Sequence, residues 1–393
     1  MIKFFPAAKL LNHEYLTIVL DEITDDLLIK YDAFVISPVE FERLLTQSFN
    51  EKLVILLLND YINTTHVRSN NILECNELNI LRKIADQNVD KIFVCISGVS
   101  HYANNSFSVG WPIRSNLHFV EFGIVYELNN CKKIDPVTIK NMDSTRIGVS
   151  LSRQMRQHRM AFSSLLYGLN LNEFCYISAM HLKKQLIKLP STSFMDHCDW
   201  QFQSEQYYLR DIMILGFQKL CAQQHNQEII GPSEDIYSLQ ANSTLIAKYT
   251  NVDNFQNNLR SIYKNSFVEF VNCTLFADPL ITFNEKFINS VFGFNFPIII
   301  GSVGTVQYYK ELGFDMFDDI VDHSYDLIID PIDRVNTAVV SNQHLLADYD
   351  STKHLWATCH DRFFHNFNFV QNQLHDKIIT LAKQKFTQIV IND

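Results

Sequence analysis

Residues 278–326 read DPLITFNEKFINSVFGFNFPIIIGSVGTVQYYKELGFDMFDDIVDHSYD. Glu285 and Lys286 stand side by side ahead of an apolar stretch at helical spacing, which predicts a helix over 285–294. The continuous apolar run Phe296 to Ile300 then predicts a buried strand. That run ends in the small-residue turn Gly301-Ser302-Val303-Gly304. A strand running into such a turn places backbone N–H groups at its carboxyl end, where open α/β sheets take up ligands. An acid and a base at the start of the preceding helix can reach the same crevice. A Glu-Lys pair beside an apolar run also suits a solvated helix face, so the pair alone does not decide between the two.

Working outward, the same alternation covers most of the chain. Runs at 16–20, 33–36, 53–58 and 92–96 predict buried strands, with helical patterns at 39–47 and 75–87 between them. Such alternation predicts a parallel, doubly wound sheet. A polar loop is expected from Val99 to Arg114, either an acceptor loop with His101 as a candidate for binding or an ordinary long connection, and Glu121 closes the apolar run 117–120. The polar stretch 129–144, which holds Pro136, is expected to be a linker. A second α/β unit follows: strand 146–152, helix 154–169, strand 174–177 ending at Ser178, helix 253–264, strand 267–271, then the segment quoted above. A largely helical tail covers 355–390. The expected domains are an N-terminal acceptor domain (1–140), a donor domain (141–345) and the tail (346–393).

A second constellation lies in RIGVSLSRQMRQHRMAFSSLLYGL, residues 146–169. Arg153, Arg156, His158 and Arg159 crowd the start of the predicted helix. Positive charge there opposes the helix dipole, so it is a poor choice unless an anion sits among the side chains. Arginine forks suit a diphosphate. A solvated basic face is the other reading. Residues 141–200 carry seven Lys/Arg against four Asp/Glu in a chain of net charge −10. With that balance there is no global attraction to nucleic acid or anionic membrane.

The ordered string NEKFINSVFGFNFPIIIGS resembles the donor-site motif of α1,3-fucosyltransferases and related two-domain (GT-B) glycosyltransferases. The continuation through Leu312-Gly313-Phe314 and Asp322-His323-Ser324-Tyr325-Asp326 is similar to a wider set of bacterial, phage and giant-virus glycosyltransferase-like proteins. Ser152-Arg153-x-x-Arg156-x-His158-Arg159 resembles the entry of the nucleotide-binding domain in the same group, and Arg362-x-x-His365-Asn366 a recurring structural pattern. Three departures stand out: Asn284 where Thr is usual, His323 where an acid is usual, and Ser152 where Asn is usual.

The resemblance implies an α/β GT-B fold: two Rossmann-like domains facing a cleft, with a C-terminal helical tail. It implies transfer of a sugar from a nucleotide-diphosphate donor to an acceptor hydroxyl; the fucosyltransferase likeness favours a GDP-linked donor, and the phage and giant-virus likeness leaves other donors open. Lys286 would meet the diphosphate and Glu285 the nucleotide sugar. Arg153, Arg156, His158 and Arg159, with Ser178, Gly301, Ser302 and Gly304 at strand ends, complete the expected donor site. An inverting reaction would need a general base, for which Glu121 and His101 are the N-terminal candidates.

No metal site is expected, because Asp318-Asp319 and Asp25-Asp26 read as surface or capping acids. No cofactor is expected beyond the donor substrate. The partners expected are the nucleotide sugar and a glycan or small acceptor. One alternative is a glycosyltransferase acting on a hydroxylated DNA base; another is a non-catalytic GT-B-like binding or structural protein. Eight cysteines without a CxxC pair suggest reduced thiols. No leader-like start and no apolar run near the ~18 residues of a membrane span are present. A cytoplasmic protein (host cytoplasm, if viral) is the expectation.

Overall fold

The computed structural model describes residues 2–4, 20–21, 23–24, 30–36, 38–58, 76–97, 99–102, 115–121, 134–152, 157–179, 206–223, 255, 259–273, 276 and 280–392. The protein is α/β, with two parallel sheets in two compact units. Unit 1 comprises Met1–Asn129, Asp278–Phe283 and Asn372–Asp393; unit 2 comprises Asn130–Ala277 and Asn284–Gln371.

The sheet of unit 1 is built from β1 (Ile2–Phe4), β2 (Tyr31–Ile36), β3 (Leu53–Leu58), β4 (Ile92–Ser97) and β6 (Leu117–Glu121), side by side in that order and all parallel. Leu53 to Leu57 are all buried, as a strand covered on both faces requires. Phe49 makes edge-to-face contacts with Phe34 of β2 and Phe93 of β4. α1 (Asn76–Gln87) precedes β4, and Asn116 ties the two together by donating to the carbonyls of Ala85, Asn88 and Lys91.

Several expectations change here. Leu20 is helical, with Thr24 donating back to its carbonyl, whereas the run 16–20 suggests a strand; residues 16–19 lie outside the described residues. Pro38–Thr46 is a 3-10 helix. The expected loop after β4 begins as a strand, β5 (Val99–Tyr102), which pairs antiparallel with β10 (Leu280–Thr282). Its partner is supplied from far along the chain, so local pattern could not reveal it.

The sheet of unit 2 holds β7 (Gly148–Ser152), β8 (Cys175–Ala179), β9 (Val268–Asn272) and β11 (Phe296–Ile300), in the order β11-β9-β7-β8. The chain steps one way from β7 to β8, through α2 (Gln157–Gly168), and then the other way from β9 to β11. α3 (Tyr207–Gln223) packs on α2 so closely that a Cβ at Gly216 would fall 1.8 Å from the Ser164 carbonyl oxygen. α4 (Arg260–Lys264) leads into β9, and α5 (Glu285–Gly293) joins β10 to β11.

Beyond β11 come α6 (Thr305–Leu312), α7 (Pro331–Val340), α8 (His344–Ala347), α9 (Tyr349–Thr358) and α10 (His360–Asn372); α11 (Leu374–Asn392) belongs to unit 1. The expected helical tail is therefore three helices divided between the units. Phe294, which ends α5 with φ 54°, is held in that left-handed conformation by Trp356, whose indole N–H donates to its carbonyl at 2.7 Å, and by Phe363 stacked at 5.5 Å.

The described part of the expected linker, 134–144, is docked rather than free. Ile134 and Val137 are buried, and the Val137 amide donates to the Phe292 carbonyl. Lys140 is buried as well. Its ammonium donates to the carbonyls of Tyr263, Ser266 and Gly293 and to Asn295 Oδ1. Burial pushes its pKa well down and Glu269 acts against that, while the four oxygens suit the charged form. A polar residue in a polar stretch thus ties together the ends of α4 and α5.

Candidate functional site

The order of the second sheet reverses between β7 and β9, and open α/β sheets bind ligands outside the carboxyl ends of their strands at such a point. The backbone ladder between the two strands is confined to Gly148 with Val268 and Val149 with Glu269. β9 and β11, by contrast, pair through all five residues. Beyond the ladder a side-chain bond takes over, Asn272 Nδ2 donating to Ser150 Oγ at 2.9 Å.

Polar side chains gather at this carboxyl edge. Ser152 Oγ, Asn272 Oδ1, Asn284 Nδ2 and Ser302 Oγ are buried there with no hydrogen-bond partner among the described residues. Interior polar groups without partners are costly, and these four are open to a ligand or water at that edge.

The start of α5 lies at this edge, since α5 runs antiparallel to β11, which follows it. Asn284 is its N-cap, the side-chain oxygen accepting from the Lys286 amide at 2.9 Å. Asn caps a helix as well as Thr does, so this departure from the family pattern keeps the local geometry. The cap puts Glu285 and Lys286 in the first turn, where the dipole favours an anion. Lys286 is half-buried, and its charge bears on the buried Glu269.

The other expected donor contacts are engaged differently. His158 and Arg159, in the first turn of α2, are buried and hold the end of β9. His158 Nε2 lies 3.0 Å from the Cys273 carbonyl oxygen, and its ring stacks on Phe276. Arg159 Nη2 donates to the carbonyls of Asn272 and Cys273. Arg334 of α7 joins that segment to the stretch ahead of α7, donating to the carbonyl of Phe276 and to those of Ile328 and Ile329. Arg153 and Arg156 lie outside the described residues. Ser178 is in β8.

The glycine turn has its own occupant. Gly304 starts α6 with φ 81°. The Asp326 carboxylate accepts from the amides of Val306 and Gln307, and its carbonyl from the amide of Gly304. The Ser302 carbonyl takes the Thr305 amide and hydroxyl. Gly301 leaves room for Cys273 Sγ, which a Cβ would meet at 3.1 Å. Burial pushes the Asp326 carboxyl above its usual range, against the pull of the two amides and of Arg334. The helix start expected to cradle phosphate therefore holds a carboxylate of the same chain.

His323, the second departure, braces this loop: its ring nitrogens meet the Met316 carbonyl at 2.8 Å and the Tyr325 hydroxyl at 3.1 Å. Arg362, His365 and Asn366 also brace it. Arg362 forks onto Asp315, and Asn366 accepts from and donates to the Asp315 backbone. In unit 1, His101 lies on β5 paired with Ile281, and Glu121 is the last residue of β6, in register with Ser97.

The sequence pattern missed Lys140, Glu269, Asp326 and Arg334 as buried polar groups. For Glu269 a signal exists: one acid inside the apolar strand run FVEFV. Compared with known proteins, the chain matches no family model, no curated protein and no solved structure.

Proposed function

We propose that the protein is a glycosyltransferase that holds a nucleotide-diphosphate sugar at the carboxyl edge of unit 2 and transfers the sugar to an acceptor hydroxyl. The observation that carries this is the start of α5: an Asn284-capped helix with Glu285 and Lys286 in its first turn, beside a strand-order reversal. Lys286 offsets the charge that grows on the leaving diphosphate as the glycosyl bond breaks. Glu285 orients the donor through its hydroxyls. With side-chain cations in that role the reaction proceeds without a metal ion. In this proposal the two units form a GT-B pair, unit 1 takes the acceptor, and Glu121 or His101 is the base.

A thermal-shift series with GDP, UDP, dTDP, CMP and their sugars, with and without EDTA, tests the proposal. One nucleotide should raise the melting temperature selectively, and EDTA should leave the rise intact. Lys286→Ala should lower turnover about a hundredfold or more, as loss of a transition-state charge contact does. Turnover unchanged in that variant removes Lys286 from the mechanism.

A second reading, a non-catalytic GT-B-like binding or structural protein, is favoured by the internal engagement of His158, Arg159 and the start of α6. A chain that binds no nucleotide and cleaves no nucleotide sugar would be of this kind.

A further inference from the structure

The two faces of the second sheet end differently at its carboxyl edge. Side chains alternate along β9, so Glu269 and Val271 face one side while Phe270 and Asn272 face the other. Phe270 packs on Phe162 of α2, which puts Asn272 on the α2 side. Glu269 accepts from the Tyr263 hydroxyl, and the Tyr263 ring packs on Gly293 of α5, which puts α5 and its Asn284 cap on the opposite side.

On the α2 side, β7 and β9 part beyond the pairs Gly148 with Val268 and Val149 with Glu269. Ser150 and Ser152 share one face of β7, and Ser150 Oγ accepts from Asn272 Nδ2, so Ser152 Oγ and Asn272 Oδ1 lie on the same side of the parting strands. Both residues are buried, and neither of these oxygens has a hydrogen-bond partner among the described residues. The Asn272 amide is anchored through its nitrogen, which fixes the direction of an oxygen that can only accept. A phosphate brought to it would set acceptor against acceptor. His158 and Arg159, at the start of α2, are turned onto the carbonyls of Asn272 and Cys273 and so do not reverse that preference. Across the edge the polarity is the opposite. Asn284 caps α5 through its oxygen, which leaves Nδ2, a donor, without a partner at a helix N-terminus that favours an anion.

We propose that the seam between β7 and β9 is a subsite for sugar hydroxyls, one of which donates to Asn272 Oδ1 and bonds Ser152 Oγ, while the phosphates of the ligand keep to the α5 side of the edge. The inference rests on the carboxyl edge of unit 2 being the nucleotide-sugar site, and it fixes which way round the donor lies. A sugar hydroxyl both donates and accepts, so it satisfies the amide oxygen and the rotatable serine hydroxyl together, and it brings no charge into a buried seam. The ribose and the transferred sugar share this chemistry.

Saturation-transfer NMR on the full chain tests it with three kinds of probe: the nucleosides guanosine, uridine and cytidine; the free sugars glucose, galactose and fucose; and inorganic pyrophosphate. A nucleoside or a free sugar should bind the wild type, the first assigning the seam to ribose and the second to the transferred sugar. Ser152→Ala should weaken that binding roughly three- to tenfold, the worth of one neutral hydrogen bond, and leave pyrophosphate affinity unchanged. Its melting temperature should hold or rise, because the hydroxyl removed is buried and unpaired. Asn272→Leu, which also loses the tie to Ser150, should lose both ligand and stability.

Equal affinity for the sugar probe in wild type and Ser152→Ala overturns the inference. So does a fall in melting temperature with binding intact, which would mean that a buried water bridges the two groups. A loss of pyrophosphate affinity in that variant would place the phosphates in the seam and overturn it as well. If pyrophosphate or a nucleotide binds but no nucleoside or free sugar does, the subsite fails and the donor site stands. If a sugar probe binds through Ser152 but no nucleotide binds, the subsite stands and the glycosyl-donor reading fails.

Discussion

In unit 1, β1, β2, β3, β4 and β6 lie side by side in the order in which the chain makes them; in unit 2 the chain makes β7 and β8, then returns to add β9 and β11 on the other side. A sheet that keeps advancing offers no reversal, and so no parting of neighbours at its carboxyl ends. A sheet that reverses leaves a crevice there. The interiors differ to match. The strands of the first sheet are filled largely with aliphatic and aromatic side chains, with Asp32 at the start of β2 accepting from the amides of Asn50 and Glu51. Unit 2 buries Lys140, His158, Arg159, Glu269, Asp326 and Arg334. Ionisable groups are expensive to bury, so among the described residues the unit whose strand order reverses is also the unit with the greater dependence on correctly placed polar partners.

The strongest way to break this comparison is Lys140→Met. Several buried carbonyls then lose their donor, at about 1–3 kcal/mol each, so unit 2 should lose roughly 3 kcal/mol or more. Hydrogen exchange should quicken in peptides covering 260–272 and 285–300 while those covering 31–36, 53–58 and 92–97 stay protected. Equal loosening of both sets would mean that the units do not differ in the way described.

Much of the fold was legible and much of the site was not, for a common reason. Strands such as Leu53–Leu58 and Phe296–Ile300 announce themselves because burial on both faces demands unbroken apolar runs. The helix that begins at Glu285 is equally plain from its apolar spacing. Partnerships between distant residues leave no such mark. β5 reads as loop until β10 supplies its other half, and Lys140 reads as linker until α4 and α5 supply its acceptors. His158 and Arg159 look like anion ligands because charge at a helix start has two explanations, and only three-dimensional structure reveals the carbonyls that they meet. The pair Glu285-Lys286 was visible, whereas the Tyr263 hydroxyl that the buried Glu269 accepts from needed the fold to show it.

Asp326→Ala sharpens the comparison at the edge itself. It removes the acceptor for two amides at the start of α6, a loss of about 1–2 kcal/mol by analogy with other helix caps. The urea midpoint of unit 2 should fall accordingly, and Asp326→Asn, which keeps one acceptor oxygen, should recover part of it. A midpoint unchanged in the alanine variant would mean that water satisfies these amides equally well.

The smallest effect is the most specific in its pH dependence. Arg362 forks onto Asp315, and both are about 30% exposed, so the pair contributes only about 1 kcal/mol after screening by solvent. Burial works to raise the pKa of Asp315, but the hydrogen bonds and charge of Arg362, with the Phe317 amide, outweigh it and leave the carboxyl below its usual range. The sign follows from that direction. A carboxylate with a depressed folded pKa contributes stability that is complete above its unfolded value, about 3.9, and is lost as pH falls through the lowered folded value. The stability difference between wild type and Arg362→Ala should therefore be constant from pH 7 down to about 4 and shrink below it. A difference that persists undiminished into strong acid would show that Arg362 acts through its stacking on the Phe317 ring, 4.7 Å away, and not through its charge.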